Sequence, residues 1–443
     1  MKTTERDPRK VAVEIISRWD QGEGTIDTLR DEIMQDIEGW DERDRALVTE
    51  LVFGVARHKE ELDRQLGGIV ESKLGKMQRR LYAILLVGMY QWLYLDRVPS
   101  HAIVYEAVNH ARELFGEGPT KLVNAVLRRV GRELEEHRER PVNAFYAGAG
   151  ILHQWRSKWI NQWNRKKADE LVSFLGHIPP VGLRRNRLKT RDDDQWFKLL
   201  VSEGLDPQPI PGWPGYAYIR GVRPSSLQSF KDGLTTVQDP AAGIAPAALD
   251  PRPGERILDL CCAPGGKTAL LWELMGGKGT LLGVDRDMKR NRKAREALKR
   301  LGHSSVKILT ADAITMEEGR FDRVRVDVPC SGTGVSHRRA DLLLRHSPLE
   351  PGELAKIQRS ILAHASEMVK PGGILVYSTC SLEPEENEQR VKDFEKKHGD
   401  RFERDELPES IPREWCTEPG IAATWPPKHG VDGAFVVRWK RRQ

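Results

Sequence analysis

The sequence lacks the features of a secreted, membrane-spanning or disulfide-linked protein. No apolar run approaches the roughly 20 residues of a membrane span, and the longest, 81–90, is followed by Gln91 and predicts a buried helix. The first ten residues contain no apolar core of a secretion signal. An odd number of cysteines, without the spacing of a zinc site or of a disulfide framework, stands at Cys261, Cys262, Cys330, Cys380 and Cys416. These absences favour a cytoplasmic protein with free thiols, no membrane partner and no metal.

A large excess of charge of one sign is also absent. The 71 Lys and Arg residues exceed the 65 Asp and Glu residues by 6, an excess that fits a polyanion partner without requiring one. The length of 443 residues exceeds the roughly 100 to 200 residues of an ordinary domain. Because 39% of the residues are hydrophobic and 12 are Trp, the chain can form several cores. We expect a globular protein of two or three domains.

Residues 10–140 show the spacing of amphipathic helices. Val11, Ile15 and Trp19 recur every four residues, which places them on one helix face. Leu47, Leu51 and Val55 repeat the pattern at the same spacing. We therefore predict an all-α domain over residues 1–140.

The last helix of that domain is predicted to start at Thr120, as its N-cap, and to stop at Gly131. Arg128 and Arg129 lie in its final turns. They either face water and interact favourably with the helix dipole or contact phosphate groups of a nucleic acid.

Residues 141–232 mix helical and strand-like patterns. Trp155, Trp159 and Trp163 recur every four residues among basic side chains. Such a stripe could stack on bases, although packing in a core is the more frequent use of aromatic side chains. Short β-like runs and the cluster of Pro and Gly over 209–215 follow. We predict a small α+β linking domain over 141–232.

From residue 233 to residue 443, strands and helices alternate. The apolar runs are ERILDL, TLLGV, SVKIL, RVRV and ILVY. Strands that alternate with helices are typical of a parallel sheet covered by helices on both faces. Ligands of such sheets bind beyond the carboxyl ends of the strands, so the residues at those ends are the candidate site.

The ends of the first three runs indicate a nucleoside site. The first is followed by Cys261 to Lys267 with two adjacent glycines, which let the backbone approach a ligand where a helix begins. The second ends at Asp285, where a carboxylate can accept hydrogen bonds from both ribose hydroxyls. Asp312 follows the third and is placed to meet an adenine amino group. Each acid alone is more often a strand terminus or a cap, but together they predict a nucleoside cofactor without a ribose phosphate.

The fourth and fifth runs are followed by thiols. Asp327 and Cys330 follow the fourth, and Cys380 follows the fifth. A thiolate that adds to carbon 6 of cytosine makes the ring an enamine with electron density at carbon 5, which can then take a methyl group. Protonation of N3 assists the addition, a task suited to a carboxyl group in a low-dielectric pocket such as Asp327. The adduct must later expel the thiol, which gives a second thiol a purpose.

The motifs CCAPGGK, DVPCSGTG and YSTCSLEPEENE resemble those of the Sun family of RNA cytosine-5 methyltransferases. The carboxyl-terminal DGAF resembles the closing DGFF strand of the family. The segments DRAL, ELVFG, RVP and VNAVLRR, all before residue 130, resemble the helical NusB-like domain of one subgroup, which acts on small-subunit ribosomal RNA. The resemblance covers nearly the whole chain. It implies a NusB-like RNA-binding domain, a linking domain and a Rossmann-like class I methyltransferase domain.

The resemblance also implies roles for residues. S-adenosyl-L-methionine would be the cofactor, Cys380 the nucleophile, Cys330 the thiol of product release, and Lys267 a neighbour of both cofactor and Asp327. The implied cofactor-binding residues are Cys261, Cys262, Ala263, Pro264, Gly265, Gly266, Lys267, Asp285, Asp312 and Asp327. The implied substrate is a cytosine of 16S ribosomal RNA, and a monomer is favoured. Transfer RNA, large-subunit RNA and a non-enzymatic RNA scaffold are the alternatives.

Three positions depart from the family pattern. Cys262 stands where the family usually has Ala, and DGAF lacks one aromatic residue. The family's RRHPD after the first thiol motif is Arg338-Arg339-Ala340-Asp341 here, without the His and the Pro. That loop faces RNA in the family, so this departure bears on RNA recognition.

Overall fold

The structure, a computed structural model, describes residues 7–35, 37, 39–70, 74–96, 98–136 and 151–443. Helices and strands are numbered in chain order. The α-helices of these residues are α1 Pro8–Asp20, α2 Ile26–Gln35, α3 Glu42–Arg57, α4 Lys59–Ile69, α5 Arg79–Tyr94, α6 Ser100–Phe115, α7 Glu117–Glu136, α8 Ile151–Gln162, α9 Arg165–Leu175, α10 Asp193–Ser202, α11 Gln228–Lys231, α12 Ile244–Leu249, α13 Gly266–Leu274, α14 Met288–Leu301, α15 Leu342–Arg345, α16 Glu350–Glu367, α17 Glu388–His398 and α18 Pro426–His429.

The strands form two sheets. They are β1 Val181–Arg185, β2 Gln208–Pro209, β3 Tyr216–Ile219, β4 Thr235–Val237, β5 Arg256–Leu260, β6 Thr280–Asp285, β7 Lys307–Thr310, β8 Phe321–Asp327, β9 Val369–Thr379, β10 Phe402–Arg404, β11 Cys416–Glu418, β12 Ile421–Ala423 and β13 Phe435–Arg441. The first four make the smaller sheet and the others the larger one. In the part of the chain described here, no helix combines the length and the apolar character needed to cross a membrane.

The chain divides into two compact units. The helical unit comprises residues 1–176 together with 338–348, and the catalytic unit comprises 177–337 and 349–443. The predicted boundary between residues 140 and 141 lies outside the described residues. The predicted division into three domains stays a prediction.

The helical unit is built around α5, as its apolar run predicts. Residues 81–91 of α5 are all buried, and they pack with buried side chains of α1, α3 and α7 in one core. Asp7 caps α1 by accepting the backbone N–H of Arg9 at 2.8 Å, and Asp41 caps α3 in the same way. The prediction of an all-α amino-terminal region is confirmed.

The Trp stripe of α8 packs into the helical unit. Trp155 and Trp159 are completely buried, with their rings 5.7 Å apart. The indole N–H of Trp155 lies 3.2 Å from the carbonyl of Leu343 and 3.0 Å from that of His346. Because neither ring faces solvent, the reading of these two residues as core is confirmed.

Residues 338–348 belong to the helical unit although they lie between β8 and β9 in sequence. Ala340 and Leu344 pack against the helical core. Asp341, only 1% exposed, accepts the backbone N–H of Ile26 at 3.3 Å and forms an ion pair with Arg345 at 2.7 Å. Arg339 is exposed. The loop that departs from the family pattern is therefore held on its Asp341 side by packing and hydrogen bonds.

The predicted limits of the last amino-terminal helix are wrong. Helix α7 begins at Glu117, one residue after Gly116 (φ 74°), and Thr120 lies inside it and donates its hydroxyl to the Gly116 carbonyl at 2.7 Å. Gly131 also lies inside the helix, which continues to Glu136, and a side chain at this position would overlap the ring of Trp92. Close packing, rather than helix termination, requires this glycine.

The packing of Gly131 gives a stability prediction. Gly131→Ala is expected to lower the free energy of unfolding of the helical unit by about 1 to 3 kcal/mol, because overpacking outweighs the gain in helix propensity. Gly118→Ala in the same helix, where a new Cβ meets nothing within 4 Å, should leave stability unchanged or raise it by up to about 1 kcal/mol. Denaturant titration of the two variants measures both values, and equal changes would refute the packing explanation.

The smaller sheet has the order β2-β3-β1-β4 and is antiparallel throughout. Leu183, Trp196 and Ala217, from β1, α10 and β3, form a separate small core. Trp196 donates its indole N–H to the Thr235 hydroxyl at 2.8 Å. The predicted α+β segment is thus present over its second half, within the catalytic unit.

The larger sheet has the order β11-β12-β13-β9-β8-β5-β6-β7, and β10 pairs with β13. The five neighbouring strands β9, β8, β5, β6 and β7 are parallel and correspond to the five predicted runs. Next to β9, the sheet continues with the antiparallel strands β13, β12 and β11. The Rossmann-like prediction is confirmed. Because the carboxyl ends of the parallel strands share one edge, the candidate residues that follow them lie along that edge.

Candidate active site

The two predicted thiols meet at this edge. β8 and β9 are adjacent, and Asp327 pairs with Ser378 in register. Cys330 lies three residues after β8 and Cys380 one residue after β9, and their sulfur atoms are 3.3 Å apart. Two causes raise the pKa of the Cys330 thiol well above its usual value: the larger is a hydrogen bond with Cys380, and the second is burial. Cys330 therefore holds its proton more strongly than an ordinary thiol, and either sulfur can be the donor of the hydrogen bond between them.

A buried glutamate joins the two thiol loops. Glu386 accepts the backbone N–H of Ser331 at 2.9 Å and its hydroxyl at 2.5 Å, and Gln358 donates to the same carboxylate at 2.9 Å. The hydroxyls of Ser331 and Ser381 lie 3.0 Å apart. Burial raises the pKa of Glu386. Sequence reasoning missed this residue, although its place in the acidic run after Cys380 was a usable signal.

Lys267 and Asp327 form the second part of the site. The Lys267 Nζ atom lies 2.7 and 2.6 Å from the two carboxylate oxygens of Asp327, and Ser378 donates to one of them at 2.7 Å. Burial opposes ionisation of Asp327. The charges of Lys267 and of Arg325 outweigh it and lower the pKa of this carboxyl. The lowered pKa and the direct contact with Lys267 do not favour a neutral Asp327 as the proton donor for N3, and its predicted role stays a prediction.

A buried ion pair joins two of the strands that position these site residues. Asp259 of β5 and Arg325 of β8 are register partners, both completely buried, and 2.6 Å separates their charged groups. Asp259 also accepts the hydroxyl of Thr268 in α13 at 2.6 Å. Asp259 and Arg325 each lie between two apolar residues within their strands. This pattern could have indicated a buried ion pair, but the sequence analysis did not predict one. The pair fixes β5, β8 and the start of α13 relative to one another.

The predicted cofactor loop runs from Cys261 to Gly266 and leads into α13. Cys261 (φ 58°) and Gly265 (φ 93°) adopt left-handed backbone conformations. A Cβ on Gly265 would meet Ala294 at 3.0 Å, so the loop packs closely on α14. Burial raises the pKa of Cys261 to about 12, and burial also raises the pKa of Cys262. Both are therefore neutral thiols near neutral pH.

Asp285 is the buried acid of this loop. It is 4% exposed, and its carboxylate accepts the backbone N–H groups of Ala263 at 3.2 Å and Asp287 at 3.0 Å. The Arg290 guanidinium lies 3.6 Å from one of its oxygens. A carboxylate offers about four acceptor positions, so capacity remains for a further donor. Asp312 is exposed and accepts the backbone N–H of Ile314 at 2.8 Å. The structure thus brings Asp285 to the loop, whereas Asp312 stands two residues beyond β7.

These donors and acceptors fit S-adenosylmethionine. Its ribose supplies a hydroxyl donor for Asp285, and its carboxylate is an anion suited to the free N–H groups where α13 begins. Asp312 can accept a hydrogen bond from the adenine amino group. Within the described residues, no group of three or more potential metal ligands lies together.

The cofactor site gives a binding prediction. Asp285→Ala should weaken S-adenosylmethionine binding by about tenfold to a hundredfold, since charge-assisted hydrogen bonds contribute about 1.5 to 3 kcal/mol each. Asp287→Ala removes an exposed carboxylate that caps α14 and should leave the affinity nearly unchanged. Calorimetry on both folded variants tests this, and unchanged affinity in Asp285→Ala would remove the residue from the site.

The carboxyl-terminal motif closes the site beside Cys380. The backbone N–H of Gly334 donates to the Cys380 carbonyl at 3.0 Å, and that of Gly433 donates to the Gly334 carbonyl at 2.8 Å. A cavity of about 40 Å³ lies here, lined by Lys267, Cys380 and Ala434 among others. Ala434, where the family pattern has an aromatic residue, therefore borders the cavity.

Two known families match the chain. Residues 246–440 match the family described as 16S rRNA methyltransferase RsmB/F, and residues 6–132 match the NusB family. A protein of Synechocystis sp. named "Probable ribosomal RNA small subunit methyltransferase B" is 34% identical over 90% of this chain and 91% of its own length. The "Ribosomal RNA small subunit methyltransferase B" of Klebsiella pneumoniae is 35% identical over 80% and 82%.

Solved structures agree in fold. The crystal structure of PH0851 covers 99% of this chain and 100% of its own, with a TM-score of 0.81 and 23% identity. A methyltransferase homologue from Pyrococcus horikoshii covers 65% of this chain and 94% of its own, with a TM-score of 0.55 and 29% identity.

Proposed function

Since this chain belongs to the RsmB/F family of 16S rRNA methyltransferases, with a NusB-family region before the catalytic one, we propose that it methylates carbon 5 of a cytosine in 16S ribosomal RNA. The cofactor is S-adenosylmethionine, which supplies, when bound, the electrophilic methyl group that carbon 5 takes up. Cys261 to Lys267, Asp285 and Asp312 hold it. A substrate of this kind places the enzyme in the cytoplasm.

The single observation that carries the cytosine-5 chemistry is the distance of 3.3 Å between the sulfurs of Cys330 and Cys380. Methyl transfer to a nitrogen or oxygen that already has a lone pair needs no nucleophilic thiol. Carbon 5 of cytosine needs one thiol to activate the ring and gains from a second when the adduct is released. Two adjacent thiols beside a cofactor loop therefore favour this reaction class.

Cys380 is assigned as the nucleophile. Its thiolate forms a bond to carbon 6, and the electrons of the double bond between carbons 5 and 6 move toward carbon 5. The raised pKa of Cys330 supports this assignment, because a thiol that keeps its proton can donate a hydrogen bond to a neighbouring thiolate and stabilise its charge.

Lys267 is assigned as the acid for N3. The ammonium group is held by both oxygens of Asp327, and it can pass a proton to N3 as electron density builds up in the ring. The ionised Asp327 orients Lys267 and can accept a hydrogen bond from the exocyclic amino group of cytosine. In this assignment Lys267 takes the role of proton donor that the sequence analysis gave to a neutral Asp327.

Release needs Cys330. Once Cys380 is bonded to carbon 6, it no longer accepts the hydrogen bond that is the leading cause of the raised Cys330 pKa. Cys330 can then give its proton to solvent and accept the proton of carbon 5. The double bond between carbons 5 and 6 re-forms, N3 returns its proton to Lys267, the bond between carbon 6 and sulfur breaks, and Cys380 leaves as a thiolate.

Mapping of 5-methylcytosine in ribosomal RNA, from cells with and without the protein, tests the proposal. We expect one 16S cytosine to lose its methyl group in the absence of the protein. Loss of a mark from transfer RNA or large-subunit RNA would keep the chemistry and change the substrate. Unchanged marks, together with no transfer of labelled methyl to naked RNA, would favour a non-enzymatic RNA scaffold.

A further inference from the structure

Helix α14 carries a strongly basic face that the proposed chemistry does not use. Its 14 residues include seven cations and a single acid, Glu296. The buried residues Asn291, Ala294, Leu298 and Leu301 lie on one side of the helix and pack on the catalytic unit. The basic side chains occupy the remaining surface, and most of them are exposed.

The cations of α14 differ in what they contact. Arg290, Arg295 and Arg300 donate to backbone carbonyls and stabilise the fold, and Arg292 is paired with Glu296 at 3.0 Å. Lys289 and Lys293 are exposed, and no carboxylate of the described residues forms an ion pair with either. These two lysines therefore present their charge to solvent.

The two lysines lie on one line. They are four residues apart, so they face the same way with a rise of about 6 Å between them. The exposed Arg286 precedes them. Met288, 70% exposed, stands next to them and is a large apolar side chain in an otherwise charged area. We name Arg286, Met288, Lys289 and Lys293 the α14 basic line.

The α14 basic line starts at the edge of the sheet that carries the thiols. Helix α14 follows β6, which is three strands from β9 in the order β9-β8-β5-β6. At about 4.8 Å per strand, the separation along the sheet is about 14 Å. A strand of RNA whose target base reaches Cys380 can therefore extend to this line within a few nucleotides.

We propose that the α14 basic line binds phosphate groups of the ribosomal RNA outside the target nucleotide; this inference rests on the proposed RNA substrate. Unpaired, exposed cations in a row match the charge of a polynucleotide backbone, and each phosphate they neutralise releases a counterion. Contacts of this kind position the RNA without reading its sequence. The occupant is RNA because the chain is an rRNA methyltransferase.

The test compares two double variants that remove the same charge. Lys289→Gln with Lys293→Gln changes the α14 basic line. Lys392→Gln with Lys396→Gln changes two exposed lysines at the same spacing on α17, which also carries Glu388, Asp393 and Glu395. The probe is 16S ribosomal RNA transcribed in vitro, bound by the full chain at 50 to 200 mM salt.

The α14 variant should bind RNA more weakly, with a salt slope lower by about 1.4 to 1.8, since each phosphate contact contributes about 0.7 to 0.9. The affinity advantage of the unsubstituted protein should shrink by about sevenfold to twelvefold between 50 and 200 mM salt. KM for RNA should rise, while kcat at saturating RNA and S-adenosylmethionine affinity should not change. The α17 variant should match the unsubstituted protein.

An unchanged salt slope of RNA binding in the α14 variant would overturn the proposal. Equal effects in the α14 and α17 variants would also overturn it, because they would show that only the net charge of the protein matters. A loss of S-adenosylmethionine affinity would also count against it, because the lysines would then act through the cofactor loop. RNA binding is measured without methyl transfer. Failure of the cytosine-5 proposal would therefore show in the methylation map and leave the binding result intact.

Discussion

Cys330→Ala should accumulate a covalent complex with RNA, whereas Cys380→Ala should form none. Both variants are expected to lose turnover by on the order of a thousandfold or more. The reason is that the two sulfurs act at different steps, although they lie 3.3 Å apart. Only Cys380 forms the bond to carbon 6, and only Cys330 accepts the proton whose loss lets that bond break. A denaturing gel of protein incubated with RNA and cofactor should show a shifted band for Cys330→Ala alone.

Two further variants sharpen this experiment. The double variant of Cys330 and Cys380 should show no shifted band, since the bond that needs resolving is never made. Cys416→Ala removes a partly exposed thiol elsewhere in the catalytic unit and should behave like the unsubstituted protein. A shifted band in Cys380→Ala would make Cys330 the nucleophile. No band in any variant, despite methylation by the unsubstituted protein, would argue against covalent catalysis.

Lys267→Met should lower kcat by about a hundredfold to ten-thousandfold, the range attributed to a lost general acid. The substitution removes the proton donor for N3 and leaves Asp327 without the leading charge that lowers its pKa. Asp327 would then be protonated up to a higher pH, so the effect of Asp327 protonation on the residual activity should appear at a higher pH than in the unsubstituted enzyme. Single-turnover methylation from pH 5 to pH 8 measures both effects.

Lys370→Met is the matched control. Lys370 pairs with Asp322 at 2.7 Å, at the opposite ends of the same two strands, β8 and β9. It should leave kcat unchanged, because it breaks an ion pair of the same kind far from the thiols. In a Cys330→Ala background, Lys267→Met should also slow the appearance of the shifted band. An unchanged rate of adduct formation would remove Lys267 from the addition step.

Much of the candidate site could be predicted because parallel strands impose a rule. Residues that follow the carboxyl ends of β8 and β9 must lie at one edge, so two thiol motifs fifty residues apart in sequence predict two neighbouring sulfurs. The same rule placed Asp285 beside the loop that starts at Cys261. In these cases a local pattern determined a long-range contact.

The ionisation of Asp327 could not be predicted in this way. Burial alone would raise its pKa, and the outcome depends on the position of the Lys267 ammonium, sixty residues earlier. The roles of Thr120 and Gly131 were also beyond local patterns, because the ring of Trp92 decides what Gly131 can be. Glu386 acts on Ser331 from fifty-five residues away. Each case turns on a partner that only the folded chain reveals.

The membership of residues 338–348 in the helical unit has a consequence for synthesis on the ribosome. The amino-terminal part of this unit is complete at residue 176, yet its last segment follows 161 residues later. At about 5 to 20 residues per second, the delay is roughly 8 to 32 s. During that time the indole N–H of Trp155 lacks the Leu343 carbonyl that accepts its hydrogen bond, and the apolar surface that packs against Ala340 and Leu344 is not yet covered by them. The helical unit therefore cannot finish folding until residue 348 has been made, after the larger part of the catalytic unit has been translated.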